Sequence, residues 1–211
     1  MNKGLFISFE GGEGAGKSSV ITLLTTALIE QGHKVIVTRE PGGIPIAEKI
    51  REVILDREHT AMDARTEALL YAAARRQHLV EKVIPALEQG YIVICDRFID
   101  SSLAYQGVAR GLGIDEIWSI NQFAIEHLMP QLTIYMDVTP EVGLARIAVA
   151  AGREINRLDL ESNSFHDKVR AGYLTLCERY SDRIIKVDAN VSQQDVYRNI
   201  FNIVSAFIEG K

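Results

Sequence analysis

Residues 11 to 18, Gly11-Gly12-Glu13-Gly14-Ala15-Gly16-Lys17-Ser18, carry glycine at the first and sixth positions followed by Lys-Ser. This is the G-x-x-x-x-G-K-[ST] spacing of a phosphate-binding loop. Glycines let the backbone turn sharply and bring its N–H groups up to phosphate oxygens. A helix that opens directly afterwards adds unpaired N–H donors and the positive end of a dipole. Lys17 has the reach for β- and γ-phosphates, and the Ser18 hydroxyl suits Mg²⁺. Asp96 follows the apolar run Tyr91–Cys95, so it is expected at a strand end, sharing that Mg²⁺ with Ser18.

A second group of residues concerns what receives the phosphate. Arg39, Arg51, Arg75, Arg97, Arg146, Arg153 and Arg157 are spread over several segments. Arginines gathered at one edge suit a second anionic substrate and a transferring phosphoryl group. Glu67, Tyr71 and Arg75 are spaced by four and share one helical face, where a ring beside a guanidinium suits a planar base and its polar edge. A signalling GTPase would carry an N-K-x-D stretch and a D-x-x-G switch, and the chain has neither. These residues alone leave open a nucleoside monophosphate kinase of any base, or a switch that binds nucleotide without transfer.

The elements that must position them follow from periodicity. The apolar run Leu5–Phe9 precedes the glycine loop, and Val20, Leu23, Leu24, Ala27 and Leu28 repeat with helical spacing after it. Further strands are expected at 34–38, 91–95, 132–138 and 184–187. Helices are expected at 44–56, 62–87, 114–127, from Thr139-Pro140 onward, 165–180 and 191–207. Pro85 predicts a kink or early stop in the long helix, and Ser192-Gln193-Gln194-Asp195 predicts a capped start for the last. Residues 99–113 read as irregular, and 150–162 as a mobile segment. Apolar strands alternating with helices specify an α/β fold, a five-stranded parallel sheet with helices on both faces, as one domain over residues 1–211.

Composition narrows the class. The 211 residues, 47% hydrophobic and 24% charged, have ample length for a buried core. A net charge of -5 argues against a nucleic-acid or membrane-surface binder, which needs a basic face. No apolar run approaches transmembrane length. Cys95 and Cys177 fit no metal or redox spacing, and the chain enters its first strand without a signal segment. A cytoplasmic enzyme with two reduced thiols is the expectation.

Several stretches together resemble the thymidylate kinase family nearly end to end. They are Phe9–Ser18, Thr38-Arg39-Glu40-Pro41-Gly42-Gly43, Arg65–Arg76, Asp96–Gly107, Arg157-Leu158-Asp159 and Val187-Asp188-Ala189-Asn190. The resemblance implies transfer of the γ-phosphate of ATP to dTMP, giving dTDP and ADP in dTTP synthesis. It implies that Gly11, Gly12, Glu13, Gly14, Ala15, Gly16, Lys17, Ser18 and Ser19 hold ATP with Mg²⁺, with Arg146 on the adenine and Asn190 bordering it. Glu13 would also meet the acceptor's 3′-hydroxyl. Arg97, with Arg39, Glu40 and Arg51, would surround the acceptor's 5′-phosphate end. Tyr71 would stack on thymine, where phenylalanine is more usual, and Arg75 would read its O4 edge. Ser101, Ser102, Tyr105 and Gln106 would complete the base and sugar pocket.

The family divides by the source of its catalytic arginine. Glu13-Gly14-Ala15 offers no base within the loop, whereas Arg153 and Arg157 lie in the segment at about 150–162. The chain therefore resembles the bacterial-type branch, with Lys17, Arg97, Arg153 and Arg157 as the implied catalytic set. The resemblance also implies a homodimer, with helices 62–87 and 114–127 as candidate contacts. Phe98 departs from the family's usual tyrosine after Asp-Arg, which removes one phenolic hydroxyl.

Overall fold

Strands form where the sequence is apolar and β-branched: β1 (Leu5–Glu10), β2 (Val35–Arg39), β3 (Ile92–Asp96), β4 (Leu132–Asp137) and β5 (Ile184–Asp188). The structure, a computed structural model, describes residues 4–149 and 157–210. All the strand pairings are parallel, in the order β2-β3-β1-β4-β5. The expected five-stranded parallel sheet is present. After β1 the chain builds towards one side of the sheet through β2 and β3, then crosses to the other through β4 and β5. The carboxyl end of β1 is therefore a switch point, where ligands bind in open α/β sheets.

The helices in chain order are α1 (Lys17–Glu30), α2 (Pro45–Leu55), α3 (Ala64–His78), α4 (Ile84–Glu88), α5 (Ile99–Ser102), α6 (Ile114–Ile125), α7 (Pro140–Val149), α8 (Asn163–Arg179) and α9 (Gln193–Glu209). Side chains alternate across the pleat, so each strand feeds two cores. Ile7, Phe9, Ile94, Ile134 and Met136 pack with Leu24 and Leu28 of α1 and Val196, Ile200 and Val204 of α9. Phe6, Val93, Cys95 and Tyr135 point the other way, against Ala68 of α3, Ile117 of α6 and Val169, Tyr173 and Leu176 of α8. Each fully buried Leu, Ile or Phe contributes roughly 1.5–3 kcal/mol. Helix starts follow the sequence signals: Asp63 accepts from the N–H groups of Arg65 and Thr66 at 3.0 and 3.1 Å, and Ser192 accepts from Asp195 N–H at 3.2 Å.

Two expectations need correction. The long helix is not one continuous α-helix interrupted at Pro85: α3 ends at His78, a π turn spans Leu79–Val83, where Ile84 N–H donates to Leu79 O, and α4 carries on through Pro85 to Glu88. Proline lacks an N–H and its ring clashes with the carbonyl four residues back, so a wide turn just before it absorbs both problems. Residues 99–113 are largely helical rather than irregular, with α5 passing into a π-helical run over Leu103–Ala109. Within the segment expected to be mobile, Arg157–Leu160 forms a 3₁₀ turn with Leu158 buried. Both cysteines are free thiols. Burial raises Cys95 well above its ordinary value and Cys177 to about 11, so neither is a reactive thiolate. Among the described residues no helix is long and apolar enough to cross a membrane.

Candidate active site

The carboxyl edge of the sheet opens into a cleft of about 1810 Å³. Its walls come from the glycine loop, the ends of β2 and β3, α2, α3, the helical run after β3, and α7. Register explains the gathering: Phe9 pairs with Asp96, and Asp96 with Arg39, so three strand ends deliver the loop, the carboxylate and the arginine side by side.

The phosphate-binding loop is built on close approach. Gly14 sits at φ +70°, and a Cβ there would lie 2.1 Å from Gly143 O, while a Cβ on Gly143 would lie 2.2 Å from Glu13 O. Only glycine at both positions lets the loop rest on α7. Gly16, at φ +86°, starts α1 with no side-chain cap, so the first N–H groups of this helix face the cleft unpaired by a cap. Lys17 Nζ donates to Gly11 O at 3.0 Å and Gly12 O at 3.2 Å. Burial, then the charge of Arg97, lowers its ammonium below the ordinary value. An anionic ligand would reverse that pressure.

Ser18 Oγ donates to Asp96 Oδ2 at 3.3 Å. Asp96 Oδ1 is buried and has no hydrogen-bond partner among the described residues. A hydroxyl and a carboxylate with an unsatisfied buried oxygen fit Mg²⁺, which takes few protein ligands and completes its shell with phosphate oxygens and water. No group of three or more His, Cys, Asp or Glu among the described residues could form an all-protein metal cage.

Arg97 has φ +70°, a left-handed conformation that aims its side chain back across the loop. Its guanidinium donates to Glu13 Oε1 at 2.6 Å, Gly11 O at 3.0 Å and Ser101 Oγ at 3.3 Å, and lies 5.1 Å from the Tyr105 ring centroid. Tyr105 OH also donates to Glu13, at 3.2 Å. Nearby, Arg39 grips Glu48 at 2.8 and 2.9 Å, and Arg51 donates to Pro41 O at 3.1 Å. Burial, then Arg39, lowers Arg51 below its ordinary value. Arg39, held close enough to disfavour the charge on Arg51, makes with it a site that an anion stabilises.

At the far end Arg75 is 1% exposed. Its Nε donates to Glu40 Oε2 at 2.7 Å, Nη2 to Ser102 Oγ at 3.1 Å and Nη1 to Asn121 Oδ1. Its guanidinium carbon lies over the Phe98 ring, 5.1 Å from the centroid. Glu40 is held in turn by His78 Nδ1 at 2.9 Å, whose Nε2 meets Thr38 Oγ1 at 2.7 Å. Glu40 thus acts chiefly as the anchor of Arg75. Tyr71 and Gln106 line the same end.

Two further expected residues, Asn190 and Arg157, lie away from the cleft wall. Asn190 fastens loops together: Oδ1 accepts from Thr139 N–H at 3.1 Å and Nδ2 donates to Asp188 Oδ1 at 2.7 Å. Arg146 lines the cleft while donating to Ala189 O at 2.8 Å. Arg157 turns inward, donating to Ile54 O at 2.9 Å and to Glu67 Oε2. Arg153 falls outside the described residues.

Sequence reasoning missed Glu10, Tyr173 and Asn121. Glu10 is buried behind the loop and accepts from Phe98 N–H at 2.7 Å, Ser101 OH at 2.5 Å and Tyr173 OH at 3.0 Å. An acidic residue closing an otherwise apolar strand was the available signal. Burial, then the Asp100 carboxylate, raises its carboxyl to about 7 from an ordinary 4.5. Between those values the folded state holds the proton and the unfolded chain releases it, so stability falls as pH rises, by at most about 1.4 kcal/mol per pH unit. Glu10→Gln keeps the shape without the titration. Its melting temperature, compared with the parent's between pH 5 and 7.5, should gain on it as pH rises, and a gap that stays constant would contradict this.

Comparison with known proteins bears on the same residues. A family model described as Thymidylate kinase matches residues 9–200. The thymidylate kinase of Geobacillus sp. (strain WCH70) is 61% identical over 99% of this chain and 100% of its own length. That of Geobacillus thermodenitrificans (strain NG80-2) is 59% identical over 98% and 92%, and that of Anoxybacillus flavithermus (strain DSM 21510 / WK1) 62% identical over 97% and 98%. The family match runs from the glycine loop into the last helix, and it covers the strand ends and the arginine-lined cleft described above. The chain belongs to the thymidylate kinase family.

Proposed function

We propose that the cleft seats both substrates of one phosphoryl transfer, ATP along the glycine loop and dTMP between Arg97 and Arg75. The observation that carries this reading is the cleft's polarity. One end is a capless helix start with Lys17, and the other is a buried arginine fork beside an aromatic ring. The chain transfers the γ-phosphate of ATP to dTMP, giving dTDP and ADP. A 5′-phosphate oxygen of dTMP bonds to the γ-phosphorus in line as the bond to the β–γ bridging oxygen breaks, and the electron pair leaves on ADP. That acceptor oxygen is already anionic, so no general base is required.

The residues act by position and charge. Lys17 leaves the loop carbonyls for the β- and γ-phosphates, and Arg97, tethered by Glu13, meets the acceptor phosphate with Arg39 and Arg51 beside it. Ser18 and Asp96 would hold Mg²⁺, which would supply positive charge against the phosphates during transfer. Arg146 borders the adenine. Tyr71 lies along the thymine ring. Arg75 has only donors to offer, which fits O4 of thymine and opposes the amino group of cytosine. Selection against dUMP rests on packing of the methyl group, worth about 1–3 kcal/mol.

The chain acts as one kinase domain with the segment at about 150–162 as its lid, in the cytoplasm and as a homodimer. Phe123 of α6, 91% exposed, and Leu69 of α3, 56% exposed, favour that pairing, and sedimentation would contradict it by returning a single 23.5 kDa species. Coupled ADP release with dTMP, dUMP, dCMP, dGMP and AMP tests the function. Turnover should be best with dTMP, weaker with dUMP and at least about a hundredfold weaker with dCMP. Best turnover with any acceptor other than dTMP or dUMP would overturn the assignment, and nucleotide binding without ADP release would favour a switch.

A further inference from the structure

We propose that Glu67 is the positioning residue that decides which end of the Gln106 amide the nucleobase meets, and thereby sets selectivity at N3 of the pyrimidine. The inference rests on the reading above that the Arg75 end of the cleft takes the base.

Gln106 lines the cleft and is 1% exposed. An amide has a donor end and an acceptor end, and nothing in its own chemistry fixes which one faces a ligand. Here Gln106 Nε2 donates to Glu67 Oε1 at 2.7 Å. Glu67 is itself 1% exposed and stands behind Gln106, outside the cleft wall. Its carboxylate also takes Arg110 Nε at 3.3 Å on Oε1, Arg110 Nη2 at 3.2 Å on Oε2, and Arg157 Nη2 on Oε2. Four N–H contacts fill the acceptor sites of one carboxylate. Burial alone would raise this carboxyl, but the bonds from Gln106 and Arg157 and the charge of Arg110 hold it below its ordinary value. An ionised, saturated carboxylate accepts and cannot donate. The amino end of Gln106 is therefore committed to Glu67, and a planar amide then turns Oε1 away from Glu67, to the cleft side.

The consequence is a two-point reading of the base. Thymine carries a donor at N3 and an acceptor at O4; cytosine carries an acceptor at N3 and a donor amino group at C4. Arg75 tests position 4 with a donor, and Gln106 Oε1 tests position 3 with an acceptor. Glu67 touches no part of the base, yet it removes the flipped amide that would welcome cytosine at N3. Arg110 is steadied by Glu161 at 2.6 Å and by the Phe165 ring at 4.6 Å, so the anchor reaches into the 157–161 turn and α8.

The test is a double-mutant cycle read as kcat/KM for dTMP over dCMP. In Glu67→Gln the two arginines take the amide oxygen, the new NH₂ group faces Gln106, and Gln106 turns its own NH₂ to the base. The dTMP-to-dCMP ratio should fall by at least about tenfold, through KM for dTMP, with KM for ATP unchanged. Gln106→Glu alone sets two carboxylates together and should also lose dTMP. The pair Glu67→Gln with Gln106→Glu restores an acceptor toward N3 and should return the ratio to within about threefold of the parent, a non-additivity expected only of coupled neighbours. A simple structural role for Glu67 would not be rescued in this way. Should Glu67→Gln fail to fold, the comparison of the pair with Gln106→Glu carries the same question.

An unchanged ratio in Glu67→Gln, or simple additivity in the cycle, would overturn the proposal. Gln106→Leu separates this from failure of the site reading: raised KM for dTMP keeps the base pocket and condemns only Glu67's role, whereas an unmoved KM removes the pocket itself and the proposal with it.

Discussion

Lys17→Ala should lower kcat for dTDP formation by about 10³-fold, the scale set by removing a preorganised charge from a transition state. The melting temperature should change little, because among the described residues the ammonium holds only two backbone carbonyls of its own loop, at 3.0 and 3.2 Å. Its depressed ammonium follows from burial and from Arg97, so removing it relieves a like-charge contact. The loss should sit in kcat more than in KM for dTMP, since the charge is wanted where negative charge moves between γ-phosphate and bridging oxygen. Steady-state rates with thermal melts check this. A variant that keeps kcat within about threefold would show that the loop binds phosphate without acting on it.

Arg75→Ala should do the reverse. It leaves the ATP half untouched and raises KM for dTMP by at least about a hundredfold, because Ser102, Asn121 and the base edge all lose their donor. It should also destabilise the protein by about 3–5 kcal/mol, the penalty for breaking a buried ion pair, since Glu40 stays buried with only His78 beside it. Arg75→Lys keeps the charge and loses the fork, so part of the stability should return without the affinity. Titration of ATP and dTMP separately, with a urea melt, checks both halves. Loss of ATP affinity alone would put the base pocket elsewhere.

The two variants also mark where sequence was informative. Lys17 stood out by a short local pattern, a glycine loop between strand and helix, whereas the spacing of four only set Arg75 on one helical face with Glu67 and Tyr71, and its base-reading role came from the family resemblance. Asp96 was legible as the polar end of a buried apolar run. The parallel sheet was legible because its strands are buried on both faces and read as continuous apolar stretches. The run at 99–113 was not. Its turns are π-helical over Leu103–Ala109, so a period of 3.6 does not appear, and Ser101, Ser102 and Gln106 are polar because they face the cleft.

Partners distant in sequence were equally hidden. Tyr173 reaches Glu10 across 163 positions, and no local pattern of α8 shows it. Arg157 shows how a tertiary position can be hidden from the sequence. Its place in a polar, arginine-bearing segment suggested a catalytic arm, but Leu158 beside it is buried and the 3₁₀ turn delivers the guanidinium to Glu67 and Ile54 O. Glu67 was noticed for its spacing from Tyr71 and Arg75, while its role behind Gln106 needed the tertiary structure.

The central claim is that one cleft holds both substrates, with the base end at Arg75 and Gln106 and the phosphates meeting between Lys17 and Arg97. A crystal structure with dTMP and a non-hydrolysable ATP analogue tests it most directly. The account predicts thymine O4 within hydrogen-bond distance of Arg75, N3–H on Gln106 Oε1, and the 5′-phosphate on Arg97 facing a γ-phosphate held by Lys17. Thymine bound at the Arg146 end, or a dTMP phosphate with no contact to Arg97, would contradict it.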